Sequence, residues 1–328
     1  MTLALDHDVA NWWAVPATTL DYPRIADFLA TTPGLGGRTF GSESRDVEEH
    51  LEGALEGGAN VVLDDGGEVR GLAVLRQSRG HQIDAEFVFD PAAPAAAVDE
   101  VIGSAAAEFL AEVGDEPAAF MRAIVGADQR KVLEALSRLG AWREAEFVRM
   151  HKSLAGEVAA ELATAAIPGL SVLSWPTVIS RGLGERLWTL HRQTFPEPLH
   201  NTLTSREAFD RHVRSRAFTP DFSSAAVDGS GEVLGYVLGS TLTTGAAPHD
   251  ARSVHVDYIG VRADQRRRGI GELLVRKVWL AALRRGFTCS SVEIDVDNGS
   301  KAPLPYRRLG YVPVQSRYSY RIDAARGS

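Results

Sequence analysis

The sequence predicts an α/β (α+β) chain built from two copies of one unit in tandem, and three observations carry that reading. The chain has 328 residues, more than one compact core usually holds. The order of apolar patterns between Tyr22 and Leu154 recurs between Ser171 and Ile322. Two local matches fall in the same order at similar offsets. Gly66-Gly67-Glu68-Val69-Arg70-Gly71 parallels Ser230-Gly231-Glu232-Val233-Leu234-Gly235, 164 residues on (71 to 235). Ser137-Arg138-Leu139-Gly140 parallels Arg307-Arg308-Leu309-Gly310, 170 residues on (140 to 310). The expected domains are residues 1–155 and 169–328. A linker is expected over 156–168, where an Ala/Glu-rich segment ends at Pro168-Gly169.

In the first copy, Tyr22–Thr31 has helical spacing, with Ile25, Phe28 and Leu29 on one face. Val47–Leu55 is a second, more polar helix. Asn60–Leu75 is a hairpin of two apolar runs about Asp64-Asp65-Gly66-Gly67. Ala85–Phe89 is a strand, Ala95–Val113 an Ala-rich helix and Phe120–Val125 a strand; Gln129–Leu139 is a helix stopped by Gly140, and Glu146–Leu154 a strand. In the second copy Ser171–Trp175 is a strand, followed by helices Leu183–Phe195 and Arg206–Arg214. The latter is opened by Thr204 with Glu207 three residues on, a capping box. Ser224–Leu238 is a hairpin, Val254–Val261 a long strand, Gly271–Arg285 a helix and Ser291–Asp297 a strand. Tyr306–Leu309 is a short helix ending at Gly310, and Ser316–Ile322 the last strand.

Bulk chemistry narrows the function classes. A net charge of −8 argues against general nucleic-acid binding. The single cysteine, Cys289, allows neither an intramolecular disulfide nor a paired-Cys metal site, so no metal is expected. The first residues lack the basic-then-apolar pattern of a secretory leader. No apolar run approaches the roughly 20 residues of a membrane span. The expectation is a cytoplasmic protein without membrane partners.

The chemistry concentrates between Val254 and Leu274. An apolar strand runs into a turn holding Arg266, Arg267, Arg268 and Gly269-Ile270-Gly271, and a helix follows at once. The N–H groups of a first helical turn have no partner within the helix and carry the positive end of its dipole. An anion satisfies both, and glycine admits it closely. The pattern is one for holding a phosphate.

At Arg266-Arg267-Arg268-Gly269-Ile270-Gly271 the sequence resembles the GNAT N-acetyltransferase superfamily, whose acyl-CoA motif is Arg/Gln-x-x-Gly-x-Gly/Ala between a strand and a helix. Downstream, Asn298 after a strand and Tyr306-Arg307-Arg308-Leu309-Gly310-Tyr311 resemble the family's Asn and Tyr-x-x-x-Gly-Phe/Tyr close. The strong resemblance covers Val254–Tyr311 and a weaker one reaches back to Gly169; the N-terminal copy resembles the fold only. The whole is similar to a tandem-GNAT chain, an arrangement similar to that of mycothiol synthase. The resemblance implies two domains, each a mixed, mostly antiparallel sheet flanked by helices, the first degenerate and the second binding acyl-CoA.

What the resemblance implies for the site is a direct acyl transfer, with acetyl-CoA (or another acyl-CoA) as co-substrate. Arg266 to Gly271 hold the CoA phosphates, the backbone of Ile259, Gly260 and Val261 pairs with the pantetheine arm, and Asn298 lies in the same cofactor-binding set. Gly260 is expected to leave room for close approach. Tyr306 matches the family's thiolate-protonating tyrosine, although the spacing from Asn298 is eight residues (298 to 306) where seven is usual. His255, Asp257 and Ile259 alternate onto one strand face. His255 falls where one branch of the family places its base, and Asp257 is positioned to orient it or to meet a cationic acceptor. Glu197 and His200 lie where acceptor-binding loops fall. Trp188 and Trp279 read as core.

The first copy has Asp90-Pro91-Ala92-Ala93-Pro94 in place of the glycine turn and Leu136 in place of the tyrosine, so it is expected to bind acyl-CoA weakly or not at all. The expected function is N-acylation of a small-molecule amine by the second copy. Two alternatives stand beside it. One is a tandem-GNAT acyltransferase that takes its acyl group from aminoacyl-tRNA or a carrier protein. The other is a catalytically silent CoA-binding scaffold. The acceptor and the oligomeric state are not written in the sequence.

Overall fold

The computed structural model describes residues 3–4, 12–31, 43–52, 54–64, 66–78, 80–114, 116–196, 203–216, 218–241, 253–296 and 303–324. In chain order the elements are β1 (Leu3–Ala4), β2 (Trp12–Pro16), α1 (Tyr22–Thr31), α2 (Ser44–Leu51), β3 (Ala54–Asp64), β4 (Val69–Gln77), β5 (Gln82–Phe89), α3 (Ala95–Val113), β6 (Phe120–Gly126), α4 (Arg130–Arg138) and β7 (Trp142–Ser153). They continue as α5 (Ala159–Thr164), β8 (Leu170–Ser174), α6 (Trp175–Ser180), α7 (Gly184–Thr194), α8 (Arg206–His212), β9 (Ser224–Asp228), β10 (Val233–Ser240), β11 (Ser253–Val261), α9 (Ile270–Arg284), β12 (Cys289–Asp295), α10 (Pro303–Arg308) and β13 (Val312–Asp323).

These elements form two compact units. Among the described residues, one holds those up to Val148 and from Gln315 on; the other runs from Arg149 to Val314. In the first unit the strand order is β1-β2-β3-β4-β5-β6-β13. β5 and β6 are parallel, while the other pairs with a described register, β1–β2, β2–β3, β3–β4, β4–β5 and β13–β6, are antiparallel. The last strand of the chain therefore belongs here: Arg317–Asp323 pair with Gly126–Phe120. One face packs against α1 and α2 through Ile25, Phe28, Leu29 and Val47, the other against α3 and α4 through Val98, Ile102, Phe109 and Leu136.

The second unit repeats the plan. Its strands run β12-β11-β10-β9-β8, with β11–β12 parallel and the rest antiparallel. Each unit is thus the mixed, mostly antiparallel sheet with helices that the sequence implied. Trp175, Leu187, Trp188, Phe209 and Phe218 form a core with Tyr236 and Leu238 on one side. Helix α9 buries Ile270, Leu273, Leu274, Val278 and Trp279, a stripe at helical spacing.

The repeat is visible at the level of single hydrogen bonds. In the first hairpin Asp64 Oδ1 accepts from Gly66 N–H (3.0 Å) and Glu68 N–H (2.9 Å), and Gly67 sits at φ 76°. In the second, Asp228 Oδ1 accepts from Ser230 N–H (2.9 Å) and Glu232 N–H (3.0 Å), and Gly231 sits at φ 82°. Both turns need a left-handed residue, and glycine takes that conformation at no steric cost. Helices α4 and α10 end alike: Ala141 N–H reaches Leu136 O and Tyr311 N–H reaches Tyr306 O, each at 3.0 Å, around left-handed Gly140 and Gly310.

Several elements depart from the sequence expectation. Residues 156–168 carry α5, which buries Leu162 and takes hydrogen bonds on Leu162 O (3.3 Å) and Ala163 O (3.1 Å) from Lys277 Nζ of α9. The cap of α8 is Ser205, whose Oγ accepts from Ala208 N–H at 3.0 Å, so the Thr204–Glu207 box is displaced by one residue. Strand β2 and helix α6 are five and six residues long, too short for a period to show.

Candidate active site

The site is organised by where β11 loses its neighbour. Its parallel register with β12 runs from Ser253 opposite Cys289 to Val256 opposite Val292 and stops there. Its antiparallel register with β10 continues to Val261 opposite Gly235. From Ile259 to Val261, then, β11 is paired on one edge only among the described residues. An unpaired strand edge is a row of N–H and C=O groups ready to pair with an extended amide-bearing chain. That edge leads directly into the turn before α9.

In that turn Arg267 has φ 65° and Gly269 φ 80°. Two left-handed residues around Arg268 curl the backbone so that successive N–H groups face inward, an anion-holding concavity. The first bond within α9 is Leu273 N–H to Gly269 O at 2.9 Å, and Gly269 supplies no side-chain cap, so the N–H groups of Ile270, Gly271 and Glu272 lie free of the helix ladder. Arg266, Arg267 and Arg268 are exposed around it. Arg266 Nε donates to Val261 O at 3.2 Å, and Arg268 bonds Gln265 Oε1. These groups fit the phosphates of an acyl-CoA, and the edge Ile259–Val261 fits part of its amide-bearing arm. Two residue steps along that edge span about 7 Å.

The two glycines differ in kind. Gly269 is left-handed, so any side chain is strained there. A Cβ on Gly271 would sit 3.8 Å from Val261 Cγ2 and 3.9 Å from Ile259 Cδ1, ordinary contacts at a negative φ. Gly271→Ala is therefore expected to keep CoA affinity within a few-fold and leave Tm unchanged or raised, since alanine is favoured over glycine in a helix by about 1 kcal/mol; a thermal melt with and without CoA checks both.

The strand carries a bulge that the sequence does not mark. Leu238 pairs with Tyr258, but Gly239 pairs with Val256, leaving Asp257 as the extra residue. The alternation therefore slips by one. His255 (opposite Ser240), Asp257 and Tyr258 (opposite Leu238) share one face, whereas Ile259, opposite Val237, turns to the α9 side. The expected His255–Asp257–Ile259 face thus holds only its first two members. The room expected beside Gly260 is also taken: a Cβ there would lie 2.5 Å from Tyr236 Cε1 and 3.0 Å from Thr194 Oγ1. Gly260 makes space for Tyr236, which is itself held by the buried His191, with Nδ1 2.6 Å from the phenol oxygen.

On the shared face, His255 Nδ1 lies 2.9 Å from Ser291 Oγ. Burial lowers its pKa below the ordinary 6.5, with Arg149 and His151 adding to the effect and Asp257 and Glu293 opposing it. As pH falls through 6.5 the unfolded ring takes a proton before the folded one does. The unfolded state then binds more protons, and stability drops across and below that window. Urea midpoints are expected to fall between about pH 7.5 and 5.5 by less in His255→Gln than in the native chain. Asp257 Oδ1 accepts from Ser240 Oγ–H at 2.7 Å, and its Oδ2 faces His212 Nε2 of α8 at 3.4 Å. No sequence signal pointed to His212, Ser240 or Ser291; each becomes visible only through the strand pairing.

Tyr306 sits on α10 with its ring edge-on to Tyr311, centroids 5.5 Å apart. Burial pushes the Tyr306 phenol above its usual value, so it remains a donor at neutral pH. Tyr311 is anchored instead: its oxygen accepts from Trp279 Nε1 at 3.0 Å and lies 2.7 Å from Ser290 Oγ. Trp279 and, in the α7 core, Trp188 are buried as expected. Tyr311→Phe strands a buried indole N–H and is expected to cost about 1–3 kcal/mol in denaturant unfolding. Glu197, His200 and Asn298 fall outside the described residues. Among the described residues no cluster of acidic, His or Cys side chains gathers as for a metal ion, and no helix is long and apolar enough to cross a membrane.

In the first unit the corresponding place is filled by the protein itself. β5–β6 pairing also stops after four pairs, at Ala85 opposite Ala123. Here, however, buried Gln129 caps the strand end: Phe89 N–H donates to Gln129 Oε1 (3.3 Å) and Gln129 Nε2 donates to Phe89 O (3.2 Å). Lys131 Nζ donates to Pro91 O (2.8 Å) and Ala93 O (2.6 Å), so that the turn presents carbonyls to a cation. Strand β5 pairs with β4 without a slip, so it carries no extra, unpaired residue as β11 does at Asp257.

Residues 184–311 match the Acetyltransferase (GNAT) family. No curated protein sequence matches the chain. Among solved structures, a GCN5-related N-acetyltransferase from Sphaerobacter thermophilus is similar with a TM-score of 0.71 and 19% identity, covering 95% of this chain and 96% of that one. A tandem GNAT protein from the clavulanic acid biosynthesis pathway, described without AcCoA, gives 0.70 and 16%, covering 95% and 98%. A glucosamine N-acetyltransferase region of a fungal multi-domain GH3 β-N-acetylglucosaminidase gives 0.63 and 16%, covering 94% of this chain and 38% of that one. At these identities the likeness is one of fold. The family match lies within the second unit, over residues 184–311, and the likeness to these structures extends the shared fold over most of the chain.

Proposed function

We propose that the second unit catalyses transfer of an acyl group, acetyl in the first instance, from acyl-CoA to the amino group of a small molecule, and that the first unit takes no part in the chemistry. The observation that carries this reading is the one-sided edge Ile259–Val261 running into the uncapped, twice left-handed turn at α9. Acyl transfer needs a polarised carbonyl, a deprotonated amine and a protonated leaving thiolate. A backbone N–H of the Ile259–Val261 edge polarises the carbonyl, and Tyr306 supplies the proton to sulfur. Deprotonation belongs to the His255–Asp257 end of the strand. The domain assignment stands as part of the proposal, 1–155 degenerate and 169–328 catalytic, except that the last strand of the chain pairs within the first unit.

The test is release of free thiol from acetyl-CoA with a panel of amines. Turnover with an alkylamine supports the reading. Tight CoA binding without turnover replaces it with a silent binding protein, and turnover only with aminoacyl-tRNA or an acylated carrier protein replaces the donor. The filled site of the first unit leads to a stoichiometric prediction: calorimetry on the full chain is expected to give one CoA per chain, and two sites would count against the assignment.

A further inference from the structure

Two acceptor-capable atoms face each other across the proposed acceptor side of β11. Asp257 Oδ2 and His212 Nε2 lie 3.4 Å apart, and each is buried without a hydrogen-bond partner. Such atoms are costly to leave unmade. Asp257 is fixed by Ser240 through its other oxygen, and His212 is wedged edge-on between Tyr258 and Phe218, with centroids 5.8 and 6.1 Å away. The first unit supplies an internal comparison. There His50 of α2, in the place of α8, closes directly on Glu86 of β5 at 2.7 Å. The closed pair occurs where the CoA turn is lost and no bulge exists. The open pair occurs where the turn is intact and the strand has one extra residue, Asp257.

We propose that Asp257 Oδ2 and His212 Nε2 together hold the acceptor's ammonium group, and that His212 is the base that deprotonates it; this rests on the acyltransferase reading above. The acceptor class is a compact primary amine that arrives as a cation. One N–H bonds Oδ2 and a second points at Nε2, filling both vacant positions at once. His212 takes that proton and passes it to water, while the Asp257 carboxylate stabilises the imidazolium. The freed lone pair forms the C–N bond to the thioester carbonyl carbon and the C–S bond breaks. The nitrogen's surplus proton ends on sulfur by way of Tyr306. One ammonium and one thioester thus give one amide, one thiol and one proton to solvent. His255 is less suited to this task, because its Nδ1 faces Ser291 and burial opposes its protonation.

The experiment compares two amines at neutral pH in the full-length chain: tyramine, which is an ammonium there, and hydroxylamine, which is largely neutral and needs no base. His212→Asn is expected to lower kcat/KM for tyramine by about 10²–10³-fold and for hydroxylamine by less than tenfold, with KM for acetyl-CoA and Tm little changed. Asp257→Asn is expected to raise KM for tyramine and not for hydroxylamine. Equal losses with both amines, or a loss that tracks a fall in Tm, would make the pair structural and overturn the proposal. Native-chain turnover that His212→Asn leaves intact overturns it too, while sparing the acyltransferase reading. No turnover by the native chain with either amine overturns both.

Discussion

Gly269→Asp is expected to abolish acyl-CoA binding, raising the Kd by more than about 100-fold in calorimetry while the chain stays folded. Two effects add. At φ 80° a β-carbon is strained, costing on the order of 1–2 kcal/mol. More important, a carboxylate at this helix N-terminus lies against the same free N–H groups that would hold a phosphate. It occupies the cradle and repels the ligand, at a point where anions of either origin compete for one set of donors. The helix loses little, since aspartate is itself a favourable residue at such a terminus. Binding that survives Gly269→Asp would move the phosphate site elsewhere. Gly271→Ala, two residues on and unstrained, is the matched control.

Tyr306→Phe is expected to lower kcat by about 10²–10³-fold, with KM for acyl-CoA changed by less than about threefold, because in its proposed role the phenol oxygen bears on the leaving sulfur and not on the phosphates or the amide arm. The raised pKa of Tyr306 sharpens how it must act. A phenol more basic than a thiol, whose ordinary value is about 8.5, does not hand over its proton in isolation. In the proposed role it gives one to sulfur as it receives one from the nitrogen side, acting as a shuttle. A solvent isotope effect on kcat is therefore expected in the native chain and is expected to shrink in Tyr306→Phe. Unchanged kcat in that variant removes the assignment.

How legible all this was in the sequence varies with the physics of each element. Helices α1 and α3 carry apolar periods over ten and nineteen residues and have the expected bounds. The Gly-Arg turn was legible because its residues are themselves the special ones. A β-bulge leaves no compositional trace: Asp257 looks like one more alternating residue until the partner strand shows that it has no opposite number. The reason for Gly260 is hidden in a related way, since the group that needs its missing Cβ is the ring of Tyr236, twenty-four residues earlier (236 to 260). His212 had no local mark at all; its meaning comes from Asp257, forty-five residues on in the sequence (212 to 257) and adjacent only in the fold.

The pairing of Arg317–Asp323 with β6 carries a consequence for how the chain is made. Strand β6 ends at Gly126, and its partner emerges from the ribosome only after about 190–200 further residues. At about 5–20 residues per second that is an interval of roughly 10–40 s. During it the edge of β6 has no antiparallel neighbour, and an open edge recruits other chains. Nascent chains are thus expected to be held by chaperones in that interval, and refolding of the intact protein is expected to be slow, as long-range closure requires.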